Sequence, residues 1–150
     1  GVAEDRIVFA PLVGKSDHLR RLRLADVFVD TPLYNAHTVG CDALWAGVPM
    51  VTLRGTKMAS RVGASLLEAT DLPELVTDSM AEYARLVENL ARDGRRRRGL
   101  RLKLDGARMT CPLFDTRRWV RDAERLLRWA VERHEDGLPP EHHSTTVSSR

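Results

Sequence analysis

Leu24-Ala25-Asp26-Val27-Phe28-Val29-Asp30-Thr31-Pro32, continuing through Thr38-Val39-Gly40-Cys41-Asp42-Ala43-Leu44-Trp45-Ala46-Gly47 to Pro49-Met50-Val51-Thr52-Leu53, decides the fold. Asp26 to Asp30 sets three consecutive apolar residues between carboxylates, the pattern of a short strand buried on both faces. Pro32 lacks the N–H a sheet ladder needs, so it forces a loop that runs to His37. Thr38 is placed to cap a helix holding Leu44 and Trp45, which stops at Gly47 ahead of Pro49. Met50 to Leu53 is then a second buried strand. Strand, helix and strand in this order point to a parallel sheet.

The pattern extends outward in both directions. Upstream, Arg6-Ile7-Val8-Phe9-Ala10 predicts a strand, Pro11 and Gly14 a loop, and Ser16 the N-cap of a helix to about Leu24 with Leu19 and Leu22 on one side. Downstream, Lys57 to Ala69 has helical spacing, Leu75-Val76 predicts a short strand after Pro73, and Ser79 with Glu82 forms a capping box for a helix to about Arg92. Leu100, Leu104 and Ala107 mark another helical stripe. Asp115 or Thr116 caps a long helix in which Val120, Ala123, Leu127, Ala130 and Val131 recur at three-to-four spacing, widened by Trp119, Leu126 and Trp129 into an apolar face expected to dock. The expected fold is α/β, a Rossmann-like parallel sheet with helices on both faces. Residues 1–136 form one lobe and residues 137–150, without periodicity, a flexible C-terminal tail.

The chain has 150 residues, 43% hydrophobic and 30% charged, which suits one ordinary globular domain. It opens on Gly1 and enters a strand-like run almost at once, so we expect a piece of something longer. No apolar run approaches the roughly 18 residues of a membrane span. The formal charge of +3 is uneven: Arg92 to Arg108 holds eight basic and two acidic residues, a local +6 that leaves −3 elsewhere. The tetrad Arg95-Arg96-Arg97-Arg98 suggests a nucleic-acid footprint, but no aromatic residues interleave for base stacking, and a solvated helix face is the better reading. Cys41 and Cys111 supply neither a disulfide framework nor a cysteine zinc motif, and a reducing compartment fits.

Ligands in open α/β sheets sit at the carboxyl ends of strands, where helix N-termini offer free N–H groups. Pro11 to Arg21 takes that position with Lys15, His18 and Arg21, the last two three residues apart and on one helix face. Asp30 to Asp42 takes it again, with Asn35, His37 and Thr38 leading into a first turn that contains Gly40. An imidazole and a hydroxyl beside free N–H groups suit a diphosphate, and Asp42 suits a ribose diol. No G-x-G-x-x-G or Walker loop is present, which disfavours a dinucleotide fold or a triphosphatase. No serine stands in a nucleophile-elbow context.

At these residues the chain resembles the C-terminal catalytic lobe of the O-linked N-acetylglucosamine (O-GlcNAc) transferases. The resemblance covers about residues 5 to 143. It rests on Ala-Pro-Leu-Val-Gly-Lys-Ser-Asp-His-Leu-Arg-Arg at 10 to 21, Leu-Ala-Asp-Val-Phe-Val-Asp-Thr-Pro-Leu-Tyr-Asn-Ala-His-Thr at 24 to 38, and Asp-Ala-Leu-Trp-Ala-Gly-Val-Pro-Met-Val-Thr-Leu at 42 to 53. Ala-Ser-Arg-Val-Gly-Ala-Ser at 59 to 65 and Pro-Leu-Phe-Asp-Thr at 112 to 116 continue in order. The resemblance implies the nucleotide-holding lobe of a GT-B glycosyltransferase, working by inverting transfer from UDP-GlcNAc to Ser and Thr hydroxyls of intracellular proteins, without a metal or other cofactor. It implies backbone contacts from Val13 to uracil, Lys15 at the ribose, His18 stacked on the base and Arg21 on the base side. His37 and Thr38 would hold the diphosphate and Asp42 the ribose hydroxyls, with Val39 and Gly40 in the same turn.

Two departures stand out. The family usually continues His-Thr-Thr where this chain has His37-Thr38-Val39, so one hydroxyl is missing, and Gly14 replaces a common proline. The family's catalytic lysine, its acceptor-side histidines and its tetratricopeptide repeats would lie before Gly1, so this fragment alone is expected to bind nucleotide without turnover. The implied partners are the UDP-sugar, acceptor proteins and the chain's own N-terminal lobe, with neither nucleic acid nor membrane, in the cytoplasm and, in a eukaryote, the nucleus. The alternatives are a GDP-fucose-dependent protein O-fucosyltransferase lobe, in which a Gly-Thr-rich stretch replaces Asn35 to Thr38, and a non-catalytic nucleotide-binding module.

Overall fold

In the computed structural model, which describes residues 1–143, three short parallel strands form the sheet in the order β1 (Phe28–Val29), β2 (Met50–Leu53), β3 (Val76–Thr77). Phe28 pairs with Met50 and Val29 with Val51, and on the other side Thr52 pairs with Val76 and Leu53 with Thr77. The central strand buries Met50, Val51 and Thr52, as its uninterrupted pattern requires. Helices α1 (Lys15–Leu22), α2 (Thr38–Trp45), α3 (Val62–Ala69), α4 (Met80–Arg92), α5 (Gly94–Ala107) and α6 (Thr116–Glu135) follow in chain order.

Helices α2, α3 and α4 all contact β2. The core between them joins Leu44, Met50, Val51, Leu67, Leu72, Leu75 and Leu90, and α5 adds Leu100 and Leu104. A smaller cluster of Ala43, Ala46 and Val48 packs with Leu22, Ala25 and Phe28, and this cluster seats α1 beside α2. Gly47 adopts a φ of +80° to close α2, a left-handed conformation that costs glycine little. Ser79 accepts from the Glu82 N–H at 3.2 Å, but Glu82 reaches Asp78 rather than Ser79, so half of the expected capping box forms. Asp115 caps α6 by accepting from the Arg118 N–H at 2.9 Å.

Several boundaries differ from expectation. Residues 6 to 10 form no strand: a 3-10 turn at Glu4–Arg6 leads into chain where Val8 and Phe9 are 85% and 91% exposed, because β-rich residues make a strand only when a neighbour pairs with them. Helix α1 starts two residues early, with Gly14 in extended conformation at the N-cap, and Ser16 instead accepts from Arg20. His37 rather than Thr38 is the N-cap of α2. The expected helix from Lys57 breaks into a 3-10 turn at Met58–Ser60 and then α3, since the Ser60 hydroxyl donates back to the Lys57 carbonyl at 3.0 Å. Leu75 ends a 3-10 turn at Pro73–Leu75, and β3 begins one residue later.

Helix α6 docks less than its pattern predicts. Ala123 and Leu126 line a groove of about 520 Å³ with Ser65, Leu66 and Ala69 of α3, whereas Val120, Leu127 and Val131 stay exposed. The first residues of the expected tail run back along α6: Arg133 donates to the Pro139 carbonyl at 2.6 Å and pairs with Glu141 at 2.8 Å, and His143 stacks on Trp129. The rest of that tail, residues 144–150, lies outside the described residues.

Much of the basic run serves the fold. Arg97 donates to the Leu90 and Ala91 carbonyls at 2.6 and 2.7 Å, satisfying the C-terminal end of α4, and meets Asp26 at 3.2 Å. Arg101 donates to the carbonyls of Arg23 and Ala25, just beyond α1. Lys103 reaches Asp71 and Glu74, and Arg108 pairs with Asp105 while lying over the Trp45 ring. Arg95, Arg96 and Arg98 remain exposed.

Candidate functional site

The packing of α1 against α2 brings three of the sequence-derived residues together. Lys15 donates to Asp42 at 2.5 Å and His18 Nε2 lies 3.4 Å from the other carboxylate oxygen. The Asp42 side chain is mostly covered while Lys15 is 60% exposed, so the carboxylate is fixed and the ammonium is free to swing. Arg21 turns the other way and donates to the Pro11 carbonyl at 2.8 Å, which folds the loop bearing Val13 over α1. The two expected segments thus meet at one end of the sheet.

The N-terminus of α2 completes the arrangement. His37 has a φ of −84° and a ψ of −88°, and among the described residues no side chain caps this end. Thr38 and Val39 are exposed in the first turn, whereas Gly40 is buried against Leu66 and Met50. The His37 ring stacks on Tyr34 at 4.9 Å, and its Nε2 is buried with no hydrogen-bond partner among the described residues. A buried polar nitrogen in that state costs stability until something completes it. Tyr34 escaped the sequence reading, because an aromatic residue in a loop carries no periodic signal.

Behind the loop lies a buried polar network. Asp30, 2% exposed at the end of β1, accepts from the Thr31 and Ala36 N–H groups at 2.9 and 2.7 Å through one oxygen and from the Thr52 hydroxyl at 2.6 Å through the other. Asn35 donates to the Thr31 and Ala59 carbonyls and accepts from the Gly63 N–H at 3.0 Å. Tyr83 of α4 donates to the Asp30 carbonyl.

Two groups near the site have shifted titrations. Burial, and then the Asp42 carboxylate, push the Cys41 thiol up. Burial, and then Asp30, do the same to the Tyr83 phenol. Both are neutral when protonated, so at alkaline pH the folded chain keeps protons that the unfolded chain releases. That stabilisation is intact below about pH 8.5 and is lost as pH rises through the folded values, Cys41 first and Tyr83 from about pH 10. The urea midpoint is therefore expected to fall as pH rises above about 8.5; a midpoint flat through that range contradicts the shifts.

The fold and the paired helices are those of a GT-B glycosyltransferase lobe. The chain superposes with a TM-score of 0.68 on a mutant O-GlcNAc transferase of Thermobaculum terrenum, at 33% identity, covering 80% of this chain and 24% of that one. The profile of glycosyl transferase family 41 matches residues 1–123, and the chain belongs to that family. It is 46% identical over 143 residues to a probable UDP-N-acetylglucosamine--peptide N-acetylglucosaminyltransferase, SEC, of Arabidopsis thaliana, covering 95% of this chain and 15% of the relative. It is 42% identical over 142 residues to the UDP-N-acetylglucosamine--peptide N-acetylglucosaminyltransferase of Caenorhabditis elegans, covering 95% of this chain and 12% of the relative. The chain therefore spans only 12–15% of the length of these curated relatives.

Proposed function

We propose that residues 1–136 are the donor lobe of an inverting transferase that moves N-acetylglucosamine from UDP-GlcNAc to Ser and Thr hydroxyls of proteins. The observation that carries this reading is the Lys15–Asp42–His18 cluster lying beside the uncapped start of α2. In this reading Asp42 takes the ribose diol and releases Lys15, His18 stacks on uracil, and Val13 offers its backbone to the base while Arg21 braces that loop. His37, Thr38 and the first-turn N–H groups of Val39 and Gly40 hold the diphosphate. The hard step is charge building on the departing UDP, and fixed donors stabilise it without reorganising. The names of the relatives support both donor and acceptor class.

The catalytic lysine, the acceptor site and the repeats belong to an N-terminal part of the parent protein, which acts in the cytoplasm and, in a eukaryote, the nucleus. Donor binding is expected to need no metal, since the groups facing Asp42 are an ammonium and an imidazole rather than a second carboxylate. Calorimetric titration with UDP, GDP and UMP in chelator tests the reading. UDP is expected to bind most tightly; a preference for GDP moves the chain to the fucose enzymes, and no UDP binding by the folded chain overturns the proposal. Val39→Thr restores the missing hydroxyl and is expected to tighten UDP about tenfold, the effect of one charge-assisted bond. An unchanged affinity would show that backbone or water already fills that place.

A further inference from the structure

We propose that Asp30 is a positioning residue for diphosphate recognition, a buried carboxylate that fixes the backbone ahead of α2 so that His37 and Thr38 face the ligand. The inference rests on the donor-site reading above and adds to it a residue with no expected contact to the nucleotide.

One oxygen of Asp30 holds both ends of the loop, through the N–H groups of Thr31 and Ala36. Ala36 immediately precedes His37, so this bond sets the orientation of the peptide that enters the N-cap. His37 sits outside the ordinary helical and extended regions, a conformation that persists only where the surroundings dictate it. The second oxygen ties the same carboxylate to Thr52 on the central strand, and Tyr83 holds its backbone from α4. Asn35, 1% exposed, grips the middle of the loop and anchors it to α3 through Gly63. Packing alone would be served by an apolar residue at position 30. Three donors converging on one buried carboxylate instead define a direction for the loop.

The contacts proposed for the base, from Val13 and His18, and for the ribose, from Lys15, lie on α1 and its preceding loop, and none of these residues bonds to Asp30, Asn35 or Thr52. Loosening Asp30 should therefore weaken the diphosphate contribution selectively. The test titrates the 150-residue chain with UDP and with uridine in parallel, checking folding by circular dichroism. The unsubstituted chain is expected to prefer UDP. Asp30→Ala should lose about tenfold in UDP affinity with uridine nearly unchanged. Asp30→Asn keeps an oxygen for both N–H groups and an amide that can meet Thr52, so it should recover most of the preference. Thr52→Val, which removes a single bond, should narrow the preference about threefold and decides the matter if Asp30→Ala does not fold. A folded Asp30→Ala that keeps the full preference, or that loses UDP and uridine equally, overturns the positioning role, as does an unaltered preference in Thr52→Val. An unsubstituted chain that binds neither ligand overturns the donor-site reading itself and the inference with it.

Discussion

Asp42→Ala is expected to lower UDP affinity by roughly 10- to 150-fold while leaving the fold intact. The estimate follows from losing hydrogen bonds between a carboxylate and the ribose hydroxyls, worth about 1.5–3 kcal/mol. Two effects oppose it, since the substitution removes a negative charge close to the diphosphate and frees Lys15 to approach that anion. The net result should therefore fall toward the lower end of the range. Stability is a separate readout. Lys15 is 60% exposed, and a pair with an exposed partner contributes under about 1 kcal/mol after solvent screening, so the urea midpoint should barely move. A change in UDP affinity below about twofold would remove Asp42 from the ribose site.

Gly63→Ala should cost about 3 kcal/mol of stability although it adds one methyl group. A Cβ there would come within 2.4 Å of both Asp30 Oδ2 and Thr52 Oγ1, and 3.0 Å from Thr52 Cβ. The two oxygens are bonded to each other at 2.6 Å and have nowhere to retreat without parting. Overpacking costs about 1–3 kcal/mol, and disrupting a hydrogen bond to a buried charge adds to it, so the value lies at or above the top of that range. Gly40 is the internal control. Its added Cβ would meet Leu66 Cδ1 at 3.1 Å, the end of a flexible side chain that can give way, and Gly40→Ala should cost less than Gly63→Ala. Urea unfolding of the two variants side by side checks the ranking; equal losses would mean that α3 lifts freely from the sheet.

The sequence carried the central strand and α4 to the residue, because Pro49 and the Ser79 cap are local signals with local consequences. It also placed Lys15, His18, His37, Thr38 and Asp42 at one end of the sheet. The rest depended on partners that a pattern does not name. Ile7, Val8 and Phe9 have strand chemistry, yet no neighbouring strand pairs with them among the described residues. The stripe on α6 announces an apolar face without saying what covers it, and the structure covers only part of it. Asp30 looked like a strand terminator, and its role emerged only when Thr52, twenty-two positions later, proved to lie against it. The arginine run reads as a solvated helix face, and the ties from Arg97 and Arg101 to distant carbonyls are not visible in such a pattern.

Those ties impose a reading frame on α5. One inserted residue ahead of Arg95 would advance every position by about 100° around the helix. Arg96 would then stand where Arg97 does, and a guanidinium would still be at hand for the end of α4. At the next tie Leu100 would replace Arg101, leaving the Arg23 and Ala25 carbonyls without it, while Gly99 and Lys103 would enter the core sites of Leu100 and Leu104. The repeated arginines forgive a slip and the leucines behind them do not, so length variation in this chain should be tolerated in loops but not within the stretch that looks most repetitive.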